Sequence, residues 1–182
     1  MKKLMKKALV GILAATMMLG SVCTAYAATG SATVAPAPTK QESAKADNGT
    51  KVNTSSKGTA TVTAVKKTTK KSVSVASKVT VNGVKYTVTK IGAKTFANAK
   101  KATKVTLPAT IKSIGAQAFT GAKSVKTIVI NSKNAVKVSK TAFKGVDTKK
   151  MTIKVTNMSK KQLKAFKANL KKAGFKGKVK TA

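Results

Sequence analysis

Short apolar pairs with one residue between them recur through the middle of the chain, two of them after the same apolar–glycine–aromatic signature. Ile91-Gly92-Ala93-Lys94-Thr95-Phe96 leads to Val105-Thr106-Leu107-Pro108, and Ile114-Gly115-Ala116-Gln117-Ala118-Phe119 leads to Ile128-Val129-Ile130. Ile91 to Ile114, Phe96 to Phe119, Val105 to Ile128 and Leu107 to Ile130 are each 23 residues apart. A looser third copy has Val138, Phe143 and Ile153-Lys154-Val155, its Phe 24 and its strand pair 25 residues further on. Two apolar residues flanking an outward one read as a short strand with a single buried face. One such unit cannot bury that face alone. Stacked units can, with the strands aligned into a sheet and each Phe resting on the next. The glycine of the Ile-Gly step is read as permitting a tight bend.

The flanks carry other periods. Val73-Ser74-Val75 and Val79-Thr80-Val81 precede Asn82-Gly83, and Val84-Lys85-Tyr86-Thr87-Val88 follows. Asn-Gly between alternating β-formers predicts a hairpin, and Thr59–Val65 alternates enough to add a strand. Downstream, Ser159-Lys160-Lys161-Gln162 has the form of a capping box. Leu163, Phe166, Leu170 and Ala173 then follow at helical steps along one face, and Gly174 suits the stop. Phe175–Lys180 reads as a last edge strand.

The repeat residues resemble leucine-rich repeats of the BspA-like type, whose pattern runs Ile-Gly-x-x-Ala-Phe-x-x-Cys-x-x-Leu-x-x-Val-x-Ile-Pro. Ile114–Phe119 and Val105–Pro108 match it well. The usual Cys is replaced by Ala99 and Ala122, and the usual Leu by Ala102 and Val125. The resemblance runs from about Val79 to Val155. It implies an α/β repeat fold, a short leucine-rich-repeat solenoid with parallel strands, and the hairpin and helix read above are expected to serve as its N-terminal β-hairpin cap and C-terminal α-helix cap. It also implies a secreted or surface protein of bacteria with a part in adhesion or host contact.

The expected division is a signal peptide over 1–27, a disordered linker over 28–57, a β-hairpin cap over 58–90, repeats over 91–155 and a helical cap over 156–182. The leader has Lys2, Lys3, Lys6 and Lys7, then the apolar run Ala8–Gly20, then Ala25-Tyr26-Ala27. A basic start, a short apolar run and a small-x-small end are the three parts of a secretory signal, with Ala25 and Ala27 marking the cleavage point. Val22 before Cys23 fits lipid attachment poorly. The stretch 28–57 is rich in Ala, Ser, Thr, Pro and Gly without an apolar period, and is expected to stay disordered.

Charge sharpens the picture. All 38 basic residues are Lys, against three acids, a formal charge of +35. Removing the four leader lysines gives +31 for the mature chain. Such a surface attracts polyanions. Lysine lacks the bidentate fork that reads base edges, so sequence-specific nucleic-acid recognition is not expected. The chain has no His, its single Cys lies in the leader, and Asp147 is the only acid in the segment expected to fold. No acid–base pair, thiol nucleophile or ordinary metal set follows, so no cofactor, metal or catalytic residue is expected.

What remains is a non-catalytic binding or adhesion module, secreted or wall-associated, with no transmembrane segment in the mature chain. Its partners would be anionic wall polymers or host surface proteins and glycans, bound by a monomer. The strand positions flanking the buried pairs are the candidate binding residues: Lys104, Thr106, Thr127, Val129, Thr152 and Lys154. A solvated strand face is the plain alternative for them. A structural spacer or a nonspecific extracellular nucleic-acid binder are the alternatives for the whole.

Overall fold

The computed structural model describes residues 36–181; the expected signal peptide, with Ala25 and Ala27, lies outside them. Among these residues twelve strands form two sheets, with one helix beside them. Sheet B holds the repeat strands: β4 (Ser72–Ser74), β7 (Lys104–Leu107), β9 (Thr127–Asn131), β11 (Thr152–Thr156) and β12 (Lys178–Thr181). They lie side by side in chain order and all parallel. Parallel neighbours need a crossover between them, which the rest of each coil supplies.

Sheet A runs along the other side of the coils in the order β1 (Gln41–Lys45), β2 (Lys51–Thr54), β3 (Thr59–Ala64), β6 (Val84–Ile91), β8 (Ser113–Ile114) and β10 (Lys137–Val138). Its repeat part is β6 (Val84–Ile91), β8 (Ser113–Ile114) and β10 (Lys137–Val138), which pair in parallel. β5 (Lys78–Val81) and the start of β6 form the antiparallel hairpin at Asn82-Gly83, both with positive φ (50° and 78°). Beyond the first repeat, β3 (Thr59–Ala64), β2 (Lys51–Thr54) and β1 (Gln41–Lys45) extend this sheet as a meander.

That meander corrects the disordered linker expected over 28–57, since residues 41–54 of it are mostly strand. Sparse apolar residues hid it, yet Ala46 and Val52 are buried in the common core. Tertiary hydrogen bonds complete the order. The Tyr86 hydroxyl accepts from the Thr39 N–H at 2.9 Å, and the Thr54 hydroxyl donates to the Thr39 carbonyl at 2.7 Å. Neither partner can be recognised from the local pattern.

The core lies between the sheets. Val105, Leu107, Ile128, Ile130, Ile153 and Val155 point into it from sheet B, and Ile91 and Ile114 from sheet A. Phenylalanines fill the loop side. Phe96 stacks on Phe119 at 4.9 Å, and Phe119 on Phe143 at 5.1 Å, with planes 13° and 5° apart. Phe175 adds a fourth rung at 5.2 Å, tilted by 49°.

Gly92 and Gly115 do not serve as bends. Neither has positive φ; Lys94 and Gln117 do, at 52° and 53°. A side chain on Gly92 or Gly115 would strike the preceding coil, its Cβ falling 2.8 Å from the Val62 carbonyl oxygen or 2.9 Å from that of Ile91. These glycines let adjacent backbones close to 2.7 Å hydrogen bonds, Gly92 N–H to Val62 and Gly115 N–H to Ile91.

The helix α1 spans Lys160–Lys172, capped by the Ser159 hydroxyl, which accepts from the Gln162 N–H. The Gln162 side chain does not return to the cap as a capping box would have it. Its carbonyl accepts from the Ala135 N–H at 3.0 Å and ties the helix to the last coil of sheet A. Among the described residues, no helix is long and apolar enough to cross a membrane.

Candidate functional site

Strand alternation decides what sheet B shows to solvent. With Val105 and Leu107 turned inward, Lys104 and Thr106 must face out, and the same holds for each neighbour. The register then sorts these outward positions into rows. Lys104 stands opposite Thr127, Thr127 opposite Thr152, and Thr152 opposite Lys178. Thr106 stands opposite Val129, Val129 opposite Lys154, and Lys154 opposite Lys180. All six residues singled out in the sequence therefore share one face.

The face is wider than the repeat count suggested. Ser72 and Ser74 of β4 open the two rows, opposite Lys104 and Thr106, and Lys178 and Lys180 of β12 close them. Local alternation in Ser72-Val73-Ser74-Val75 and Lys178-Val179-Lys180 was the available signal. Constant spacing did not help: Lys178 falls 26 residues after Thr152, outside the 23-residue repeat. With strands about 4.8 Å apart, five of them give a face roughly 20 Å wide.

Its chemistry is cationic and hydroxylic. Lys104, Lys154, Lys178 and Lys180 are exposed, Thr106, Thr127 and Thr152 half-exposed, and Val129 leaves one apolar spot in the middle. At the end of the strands the Asn157 side-chain Nδ2 donates to the Asn131 side-chain Oδ1 at 2.6 Å, continuing the polar surface. The acids Glu42, Asp47 and Asp147 lie off these strands. Asp147 is a turn residue whose carboxylate accepts from the Lys149 N–H. Among the described residues, no three His, Cys, Asp or Glu side chains gather as a metal site would require.

The family model for the "BspA type Leucine rich repeat region (6 copies)" matches residues 89–182, just over half of the chain. The chain belongs to the BspA-type leucine-rich repeat family. Two solved structures are similar to this BspA-type chain. A leucine-rich repeat protein from Bacteroides capillosus ATCC 29799 is 22% identical with a TM-score of 0.50, over 78% of this chain and 99% of that one. A leucine rich cell surface protein from Faecalibacterium prausnitzii A2-165 is 18% identical with a TM-score of 0.47, over 83% of this chain. This chain covers only 44% of that second protein's length. No curated protein matches. In this BspA-type chain the Gly-for-close-approach and Phe-ladder positions belong to the fold, while the side chains of the sheet B rows point away from the core.

Proposed function

We propose that the chain is a secreted or envelope-associated, non-catalytic binding module that holds anionic polymers of the cell wall against the outer face of sheet B. The observation that carries this reading is the in-register alignment of Lys104, Thr127, Thr152 and Lys178 beside Thr106, Val129, Lys154 and Lys180. Ammonium groups on one face of a sheet attract a polyanion, and the threonine hydroxyls between them supply hydrogen bonds to its oxygens. Host glycans bearing acidic sugars offer the same chemistry and form the competing ligand class.

Two measurements test it. N-terminal sequencing of the exported protein should find Ala28 first; retention of residue 1 removes the secretory part of the proposal. A pull-down of the exported protein against wall polymer, mucin-type glycans, matrix proteins and DNA should then be titrated with salt. Wall-polymer binding is expected to persist above about 0.5 M salt, where screening lengths are only a few Å. DNA binding is expected to fade steeply with salt, as counterion release dictates.

Replacing Lys104, Lys154, Lys178 and Lys180 by Gln should weaken polymer binding by more than roughly tenfold, while Gln at Lys112, Lys137, Lys140 and Lys144 should leave most of it. Equal losses from the two quadruple variants would show that net charge, and not this face, makes the contact.

A further inference from the structure

Sheet B has a second feature that the rows do not use, its edge at β4. Sheet A continues past β3 through β2 and β1, whereas among the described residues no strand lies beyond β4 in sheet B. The backbone of β4 pairs with β7 through alternate residues. Lys71 accepts from the Thr103 and Lys104 N–H groups, and the Val75 N–H donates to Thr106. By strand alternation the N–H and C=O groups of Ser72 and Ser74 face the other way.

They face an open groove of about 380 Å³. Its floor is apolar, made by Val62, Val65, Val73, Val75 and Val79, all buried or nearly so. Its rim carries Lys66, Lys67 and Lys70, all exposed. The Lys66 stem lies against Gly49 of the turn between β1 and β2, which forms the far wall.

Two other edges are guarded. β12 presents Lys178 and Lys180, and β1 carries Glu42 and Lys45 with a break in register. Charges and bulges on an edge discourage added strands. The outward side chains of β4 are the small neutral Ser72 and Ser74, and the rim lysines turn away a cationic strand but not an acidic one.

We propose that this edge receives an extended, acidic segment of a partner protein, which adds to sheet B as a further strand. Backbone pairing to Ser72 and Ser74 aligns the segment, its apolar side chains meet the valine floor, and its carboxylates meet Lys66, Lys67 and Lys70. Because β4 is only three residues long, pairing alone is weak and the floor and rim must add to it. A second copy of this chain has the wrong sign for the rim, with three acids against 38 lysines.

The test uses the full exported chain and a fluorescent peptide of alternating Glu and Val, about eight residues long, a usual strand length. Binding should protect the Ser72 and Ser74 amides from hydrogen exchange. A Lys-Val peptide of the same length should not bind. Ser74→Pro removes one outward N–H and leaves the β7 side intact, a position proline tolerates on an edge. It should weaken peptide binding by roughly tenfold, as should Gln at Lys66, Lys67 and Lys70 together. The Gln variant also serves if Ser74→Pro proves unfolded by circular dichroism. Gln at Lys104, Lys154, Lys178 and Lys180 should leave peptide binding unchanged, which separates this edge from the polymer-binding face.

Three results would overturn the proposal. An acidic peptide with proline at alternate positions could bind equally well, leaving charge as the whole attraction. Protection could appear at Lys178–Thr181 instead. The Ser72 and Ser74 amides could already be protected in the free chain, the edge then being filled by this protein itself.

Discussion

Gly92 and Gly115 stand one coil apart because a coil can approach the one before it only where a side chain is missing. In the third coil the position is Ser139, and there the hydrogen bond to the preceding coil, Ser139 N–H to Ile114, lengthens to 3.0 Å from 2.7 Å. The last repeat has room to yield; the central one is held on both sides. Gly115→Ala should therefore destabilise by about 1–3 kcal/mol, as forced overpacking does, while Ser139→Ala should change stability by less than about 0.5 kcal/mol. Urea unfolding of the two variants checks this, and equal midpoints would contradict it.

Phe119 is the residue most committed to the interior, with a stacked ring on either side. Phe119→Leu keeps a hydrophobe but loses both stacks, and should cost about 1–3 kcal/mol from lost aromatic contact and altered volume. The sequence showed that glycine and phenylalanine recur together. It suggested a bend for the glycine because backbone freedom is its commoner use, and contact between coils cannot be seen in one dimension.

At the scale of elements, α1 ends in a way that sets the fourth rung of the ladder. The Gly174 N–H donates to Lys171 and the Phe175 N–H to Leu170, both at 3.0 Å, with Gly174 at φ 73°. This is the paired bonding of a Schellman turn. It reverses the chain and delivers Phe175 to Phe143. Gly174→Ala should cost about 1 kcal/mol through the left-handed backbone alone, read as a lowered denaturant midpoint.

At the other end of the helix, Gln162→Ala should cost about 1–3 kcal/mol by leaving the part-buried Ala135 N–H without its acceptor. Ser159→Ala should cost about 1 kcal/mol. A Gln162 variant no worse than an exposed helix residue would remove the link between helix and coil. The amphipathic face and stop of α1 were legible from spacing. The partner of Gln162 was not, because Ala135 lies 27 residues away.

For the molecule as a whole, lysine dominates. Every lysine among the described residues is exposed, so the apolar interior forms without burying a charge, and repulsion is confined to the surface. Passing from about 0.01 M to about 0.5 M salt shortens the screening length from roughly 30 Å to a few Å. Folding packs these charges closer together than the open chain does, so relief of repulsion favours the folded state. The melting temperature should rise by several degrees over that range, followed by circular dichroism. A flat or falling melting temperature would show that the lysines are too well spaced to repel.

The sequence by itself determined the coil length, the inward and outward residues of β7, β9 and β11, the helix and its ends, and the cationic surface. Each follows from side-chain periodicity within a few residues or between successive coils, which the chain records directly. Only the tertiary structure decided that β1 and β2 are ordered, that β4 joins the repeat sheet and not the hairpin, and that Phe175 completes the ladder. Those outcomes depend on pairing between segments outside the repeat interval. Their partners are chosen by shared burial and backbone hydrogen bonds, neither of which leaves a local pattern.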